Sequence, residues 1–143
     1  MLFRSCAGGV VFHEDMVYLL RNEKNEWVLP KGVIRPGMLV RQVAVERVRT
    51  EAGIEAEILT TAGETCYEFY SHTRKTPVCN EIHWYVMRAA DGKHQANRSQ
   101  GFLEGRYFPI LEALSTVTYS QDQALIRLAY QKYRAIQESK TVI

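Results

Sequence analysis

This sequence predicts an α+β domain, with a sheet in the middle and helices covering its faces. Three observations carry that expectation. β-rich runs follow one another near the start of the chain, one helical period interrupts them at residues 39–52, and a second helical segment lies near the end at residues 124–136. With 143 residues, 46% of them hydrophobic, the chain suits a single domain over residues 1–143 that buries about two-thirds of its extended-chain surface.

The elements follow in order. Residues 3–12 and 16–21 are β-rich and separated by His13-Glu-Asp15, the pattern of an antiparallel hairpin with a short polar turn. Trp27-Val-Leu-Pro-Lys-Gly32 is a short apolar run stopped by Pro and Gly, and Pro36-Gly37 marks a further loop. From Leu39 to Ala52, Val40, Val43, Ala44 and Val48 recur at helical spacing, and Gly53 supplies the left-handed stop past a helix end. Residues 54–70 and 81–89 carry aromatics in strand-like patterns and read as paired strands joined by the basic connector Ser71–Pro77. Asp91–Gly101 is polar and reads as a mobile loop. Phe102–Phe108 resumes a strand, Pro109 opens a short helix through Leu114, and Ser120-Gln-Asp-Gln123 resembles a capping box before the last helix.

Charge and cysteine usage exclude several classes. Eighteen basic and sixteen acidic side chains leave a formal charge of +2, too small for general nucleic-acid or membrane attraction. Cys6, Cys66 and Cys79 are odd in number and widely spaced, which suits reduced thiols rather than a disulfide framework. The N-terminal run is broken by Gly8, Gly9 and His13, unlike a signal peptide, and no stretch nears the roughly 18 apolar residues of a membrane span. The expectation is a cytoplasmic monomer or dimer.

The segment Gly32–Ile54 carries the chemistry. It resembles the Nudix box, a loop–helix–loop written Gly-x5-Glu-x7-Arg-Glu-U-x-Glu-Glu-x-Gly-U with U bulky and aliphatic. Gly32, Val48, Glu51, Gly53 and Ile54 match without a gap, whereas Met38 stands at the first Glu, Glu46 and Arg47 reverse the Arg-Glu pair, and Thr50 replaces the next Glu. Three of the four box carboxylates are therefore missing from their places. The opening strand, the Leu-Pro-Lys-Gly segment, the aromatic strand around Trp84 and residues 106–114 also look like family segments. The resemblance implies an α/β/α sandwich with a mixed sheet, nearest in feel to diadenosine polyphosphate and diphosphoinositol polyphosphate hydrolases. It further implies a nucleotide or polyphosphate ligand and Mg²⁺ or Mn²⁺ if the protein is active, since family carboxylates hold ions that neutralise phosphate charge and activate water.

At 100° per residue, Arg47, Thr50 and Glu51 share one helical arc while Glu46 points about 100° away from Arg47. The arc is shared with Val40, Val43 and Ala44, so Arg47 faces inward and Glu51, one turn on, is spaced to pair with it. The expected catalytic set is Glu51, Glu46 and Arg47, with Glu51 as metal ligand and Glu81 or Glu104 as helpers. Glu64 and Glu68 are further carboxylates on or beside the later strands. Lys31, Gly32, Arg35, Arg4, Arg74 and Lys75 are the expected phosphate-binding set, because phosphates want fixed cationic donors.

Two readings remain open. A phosphoanhydride hydrolase acting on nucleoside-diphosphate-linked or dinucleoside polyphosphate compounds needs metal at Glu51 and carboxylates from outside the box. A non-catalytic nucleotide or polyphosphate module, working without a cofactor, needs only the fold and a cation at Arg47 in the metal's place. A scaffold or RNA-binding role through residues 72–75 has little support at this net charge.

Overall fold

The computed structural model describes residues 1–141, so the last two residues of the expected domain lie outside it. Strands β1 (Leu2–His13) and β2 (Met16–Asn22) form the expected hairpin. Its turn places Glu14 and Asp15 at φ 49° and 65°, the paired left-handed geometry that matches the twist of a two-residue hairpin. β3 (Trp27–Val28) and β4 (Lys31–Val33) are short, and α1 covers Val40–Ala52. β5 (Ala56–Ser71), β6 (Thr76–Ala89), β7 (Phe102–Pro109), α2 (Ile110–Thr116) and α3 (Ser120–Thr141) complete the chain.

The sheet runs in the order β3-β2-β1-β6-β5, with β4 added to β1 and β7 to β2. β1 and β6 are parallel and every other pairing is antiparallel, so the sheet is mixed. Residues 6–12 of β1 are buried without alternation, as expected for a central strand covered on both faces. On one face Val10, Phe12, Leu19 and Trp84 pack against Ile126, Ala129 and Tyr133 of α3, with Phe12 stacked on Tyr133 at 4.5 Å between centroids. On the other, Ala7, Val11, Leu20 and Met87 meet Val43, Ala44, Val48 and Ala52 of α1. The result is the α/β/α sandwich that the motif implies. No helix among the described residues is long and apolar enough to cross a membrane.

Three local expectations are corrected. The connector Ser71–Pro77 shortens to a turn at residues 72–75, because Ser71 pairs with Thr76 and Tyr70 with Pro77. The Asp91–Gly101 segment is held in place: the backbone N–H groups of Gln95 and Asn97 donate to the Ala52 and Glu51 carbonyls, and Asn97 Nδ2 donates to that of Thr50. These bonds satisfy carbonyls that a helix end leaves unpaired, a demand invisible in the segment's own composition. Ser120–Gln123 lies inside α3 and forms no capping box, since Gln123 Nε2 donates to the Leu114 carbonyl.

Candidate functional site

The site is built where the end of α1 meets the segment between β3 and β4. Gly53 adopts φ 64° and closes α1 with its N–H on the Arg49 carbonyl, which leaves Arg47 and Glu51 on the last two turns facing β4. Glu51 is only 4% exposed. Its Oε2 accepts from Arg47 Nη2 at 2.6 Å and Nε at 3.2 Å, and its Oε1 accepts from the Lys31 backbone N–H at 3.3 Å. Burial pushes the Glu51 carboxyl above its usual range, against the opposing pull of Arg47 and Lys31. Arg47 is steadied from outside by Gln100, whose Oε1 accepts from Nη2 at 2.9 Å. Its stem lies on Gly32, where a Cβ would come within 2.5 Å of Arg47 Cδ.

A cavity of about 710 Å³ opens beside this pair, within the size range of small-molecule sites. Tyr67, Phe69, Trp84, Phe102 and Tyr119 supply aromatic wall, while Asn22, Gln100 and Gln121 supply amides. Trp84 Nε1 donates to Thr65 Oγ1 at 2.8 Å, and Asn80 Nδ2 donates to Tyr67 Oη at 2.8 Å, so two of the rings are fixed. Lys31 lies within electrostatic reach of Glu26, Glu51 and Asp122, and its Nζ sits 5.8 Å from the Tyr67 ring centroid. Burial raises the Asp122 carboxyl to about 6, with Lys31 pulling the other way. Glu26 accepts from Tyr119 Oη; that bond holds Glu26 below its usual range and lifts Tyr119 to about 12.

Of the residues expected to act, Lys31 and Glu51 line the cavity and Arg47 is bonded to two lining residues, Glu51 and Gln100. Gly32 serves as the floor for Arg47. Arg4 stands behind the wall, donating to Asn80 Oδ1 at 3.0 Å and lying 5.6 Å from the Phe69 centroid. Arg35, Arg74 and Lys75 are exposed and line no part of the cavity. Glu46 is exposed on α1 within the field of Arg49. Glu81 alternates with Asn80 and Ile82 and so turns away from the cavity that Ile82 lines. Glu104 is exposed and paired with Arg21 at 3.4 Å. Among the later-strand glutamates Glu64, Glu68, Glu81 and Glu104, Glu68 borders the cavity, while strand alternation turns its side chain to the face of Cys66, Cys79 and Glu81.

Sequence reasoning missed Glu26, Gln100, Tyr119 and Asp122. Asp122 is read in sequence as part of a cap, and nothing local signals that the start of α3 faces the end of α1. The donor set does not suit a hard dication at the box position. Both Glu51 oxygens are committed to protein donors, and no group of three or more His, Cys, Asp or Glu side chains among the described residues could hold a metal ion.

The mixed sheet between two helical layers, with α1 set between two loops, defines the class of fold. The NUDIX domain profile matches residues 2–129, and the chain belongs to the Nudix hydrolase family. It is similar in fold to a NUDIX hydrolase from Nitrosomonas europaea, with TM-score 0.71 and 16% identity over 94% of this chain and 74% of that one. An Ap4A hydrolase from C. elegans aligns with TM-score 0.68 and 18% identity over 92% and 98% of the two chains. A MutT protein from Methanosarcina mazei aligns with TM-score 0.71 and 15% identity over 92% and 96%. At these identities the shared property is the fold.

Proposed function

We propose that this chain binds a nucleotide or related polyphosphate ester without a divalent metal and hydrolyses it weakly or not at all. The observation that carries the reading is the saturation of Glu51, the one box carboxylate in place, by the Arg47 guanidinium and the Lys31 N–H. A guanidinium supplies phosphate with positive charge and directed donors without needing a set of oxygen ligands. The cavity carries more carboxylates than lysines, so the phosphates belong at the Lys31–Arg47 edge and the nucleoside among the aromatic rings. The alternative, a phosphoanhydride hydrolase, draws support from Glu26 and Asp122 lining the same cavity as Glu51.

The test is calorimetric titration with Mg²⁺ and Mn²⁺, with and without a non-hydrolysable nucleotide, followed by assay of phosphate and pyrophosphate release from a nucleotide panel. Micromolar nucleotide binding that needs no metal and weakens in Arg47→Glu is the expected result. Metal binding that vanishes in Glu51→Gln, together with turnover, would replace this reading with the hydrolase one. Unchanged affinity in Arg47→Glu would remove Arg47 from the site.

A further inference from the structure

β5 and β6 carry a second feature with its own chemistry. Cys66 opposes Glu81 and Cys79 opposes Glu68, so the two cysteines are diagonal neighbours across the strand pair. Strand alternation puts them on the face opposite Thr65, Tyr67, Asn80 and Ile82, outside the cavity. Their Sγ atoms stand 2.8 Å apart. Carbon atoms in ordinary contact sit ~3.5–4.0 Å apart and sulfur is larger, whereas a disulfide bond spans about 2.0 Å. The pair is therefore closer to bonding distance than to ordinary packing. Cys66 is exposed and Cys79 buried, which gives one thiol that a solute can reach and one that it cannot.

We propose that Cys66 and Cys79 are a dithiol/disulfide site that exchanges with low-molecular-weight disulfides, Cys66 attacking first and Cys79 resolving. In the first step the Cys66 thiolate attacks one sulfur of the small disulfide; a mixed disulfide forms and one small thiolate leaves. In the second, the Cys79 thiolate attacks Cys66 Sγ, the intrachain bond forms and the second small thiolate leaves. The two protein thiols are oxidised by two electrons, the small disulfide is reduced to two thiols, and the protein's two protons go to the leaving thiolates. The order follows from access, and the hydrogen bond shared with Cys66, burial and the nearby Glu68 and Glu81 carboxylates, which push Cys79 up to about 11, support it. Cys6 is buried in the core cluster around β1 and takes no part. The site is independent of what the cavity binds.

The experiment is incubation of the reduced protein with oxidised glutathione, read by intact mass, by thiol titration under denaturing conditions and by a non-reducing peptide map. The expected result is a mass loss of about 2 Da, a fall in titratable thiols from the three of the sequence to one, a 66–79 cross-link in the map, and full reversal by dithiothreitol. Cys79→Ser traps glutathione on Cys66, and Cys66→Ser takes up none. The wild-type mass and map need no variant to fold. Three thiols persisting at excess oxidant, a stable glutathione adduct on wild-type Cys66, or a cross-link between two chains would each overturn the proposal.

Discussion

Two sides of one cavity handle buried charge differently, although burial raises both carboxyls. At the end of α1, Glu51 is 4% exposed and is matched by a guanidinium and a backbone donor. Across the cavity, at the start of α3, the field of Lys31 is what offsets the burial of Asp122 among the described residues, and its carboxyl rises to about 6. A hydrogen-bonded cation can hold a buried carboxylate in one place, whereas a carboxylate without one is left able to exchange protons near neutral pH. The first side is built for fixed structure and the second for a group that responds to its surroundings.

The largest break in this contrast is expected from Arg47→Met, which leaves Glu51 buried without its cation. Loss of one partner of a buried pair is costly, and with Arg47 28% exposed the destabilisation is set at ~2–4 kcal/mol, read as a shift of the denaturant midpoint at unchanged slope. Adding Glu51→Leu should recover most of that loss, since removing both partners deletes the unpaired charge.

Asp122→Asn tests the other side. Because its folded pKa lies above the unfolded value, Asp122 contributes stability that is fully present below about pH 3.8 and is lost as pH rises through about 6. The variant is therefore expected to be more stable than the wild type at pH 8, by on the order of 1–2 kcal/mol after discounting for partial exposure, and to lose that advantage toward pH 4. Thermal melts of both proteins from pH 4 to 8 check the sign.

Asn97→Ala removes the amide that donates to the Thr50 carbonyl and accepts from Ser99. A cost of about 1 kcal/mol is expected, with faster hydrogen exchange confined to residues 91–101 and the end of α1. The smallest effect belongs to Glu46→Gln: the side chain is exposed and outside the cavity, so midpoint and nucleotide affinity should not move measurably. A loss of binding there would overturn the placement of the site on the Arg47–Glu51 arc.

Much of the frame is legible along the chain. The β1–β2 hairpin, α1 with its Gly53 stop, and the Arg47–Glu51 pair follow from periodicities of two and 3.6 residues and from a one-turn spacing. The Met38, Glu46–Arg47 and Thr50 departures are equally visible there. The cavity wall is not. Arg47 meets Gln100 across 53 positions and Glu51 meets Lys31 across 20, and no local pattern encodes those approaches. The anchoring of residues 91–101 is hidden for the same reason, because its partners are the last carbonyls of α1.

The sequence by itself determined the family, through motifs spread along the chain, and the helical arc and the pairing of Arg47 with Glu51, because these two depend on residues within a few turns of one another. Only the tertiary structure decided that Asp122 and Glu26 share a cavity with Glu51, that Arg35, Arg74 and Lys75 stand away from it, and that Cys66 comes within 2.8 Å of Cys79. Those outcomes depend on strand register and on which helix ends the sheet brings together, and one residue's slip in register would turn every such side chain to the opposite face.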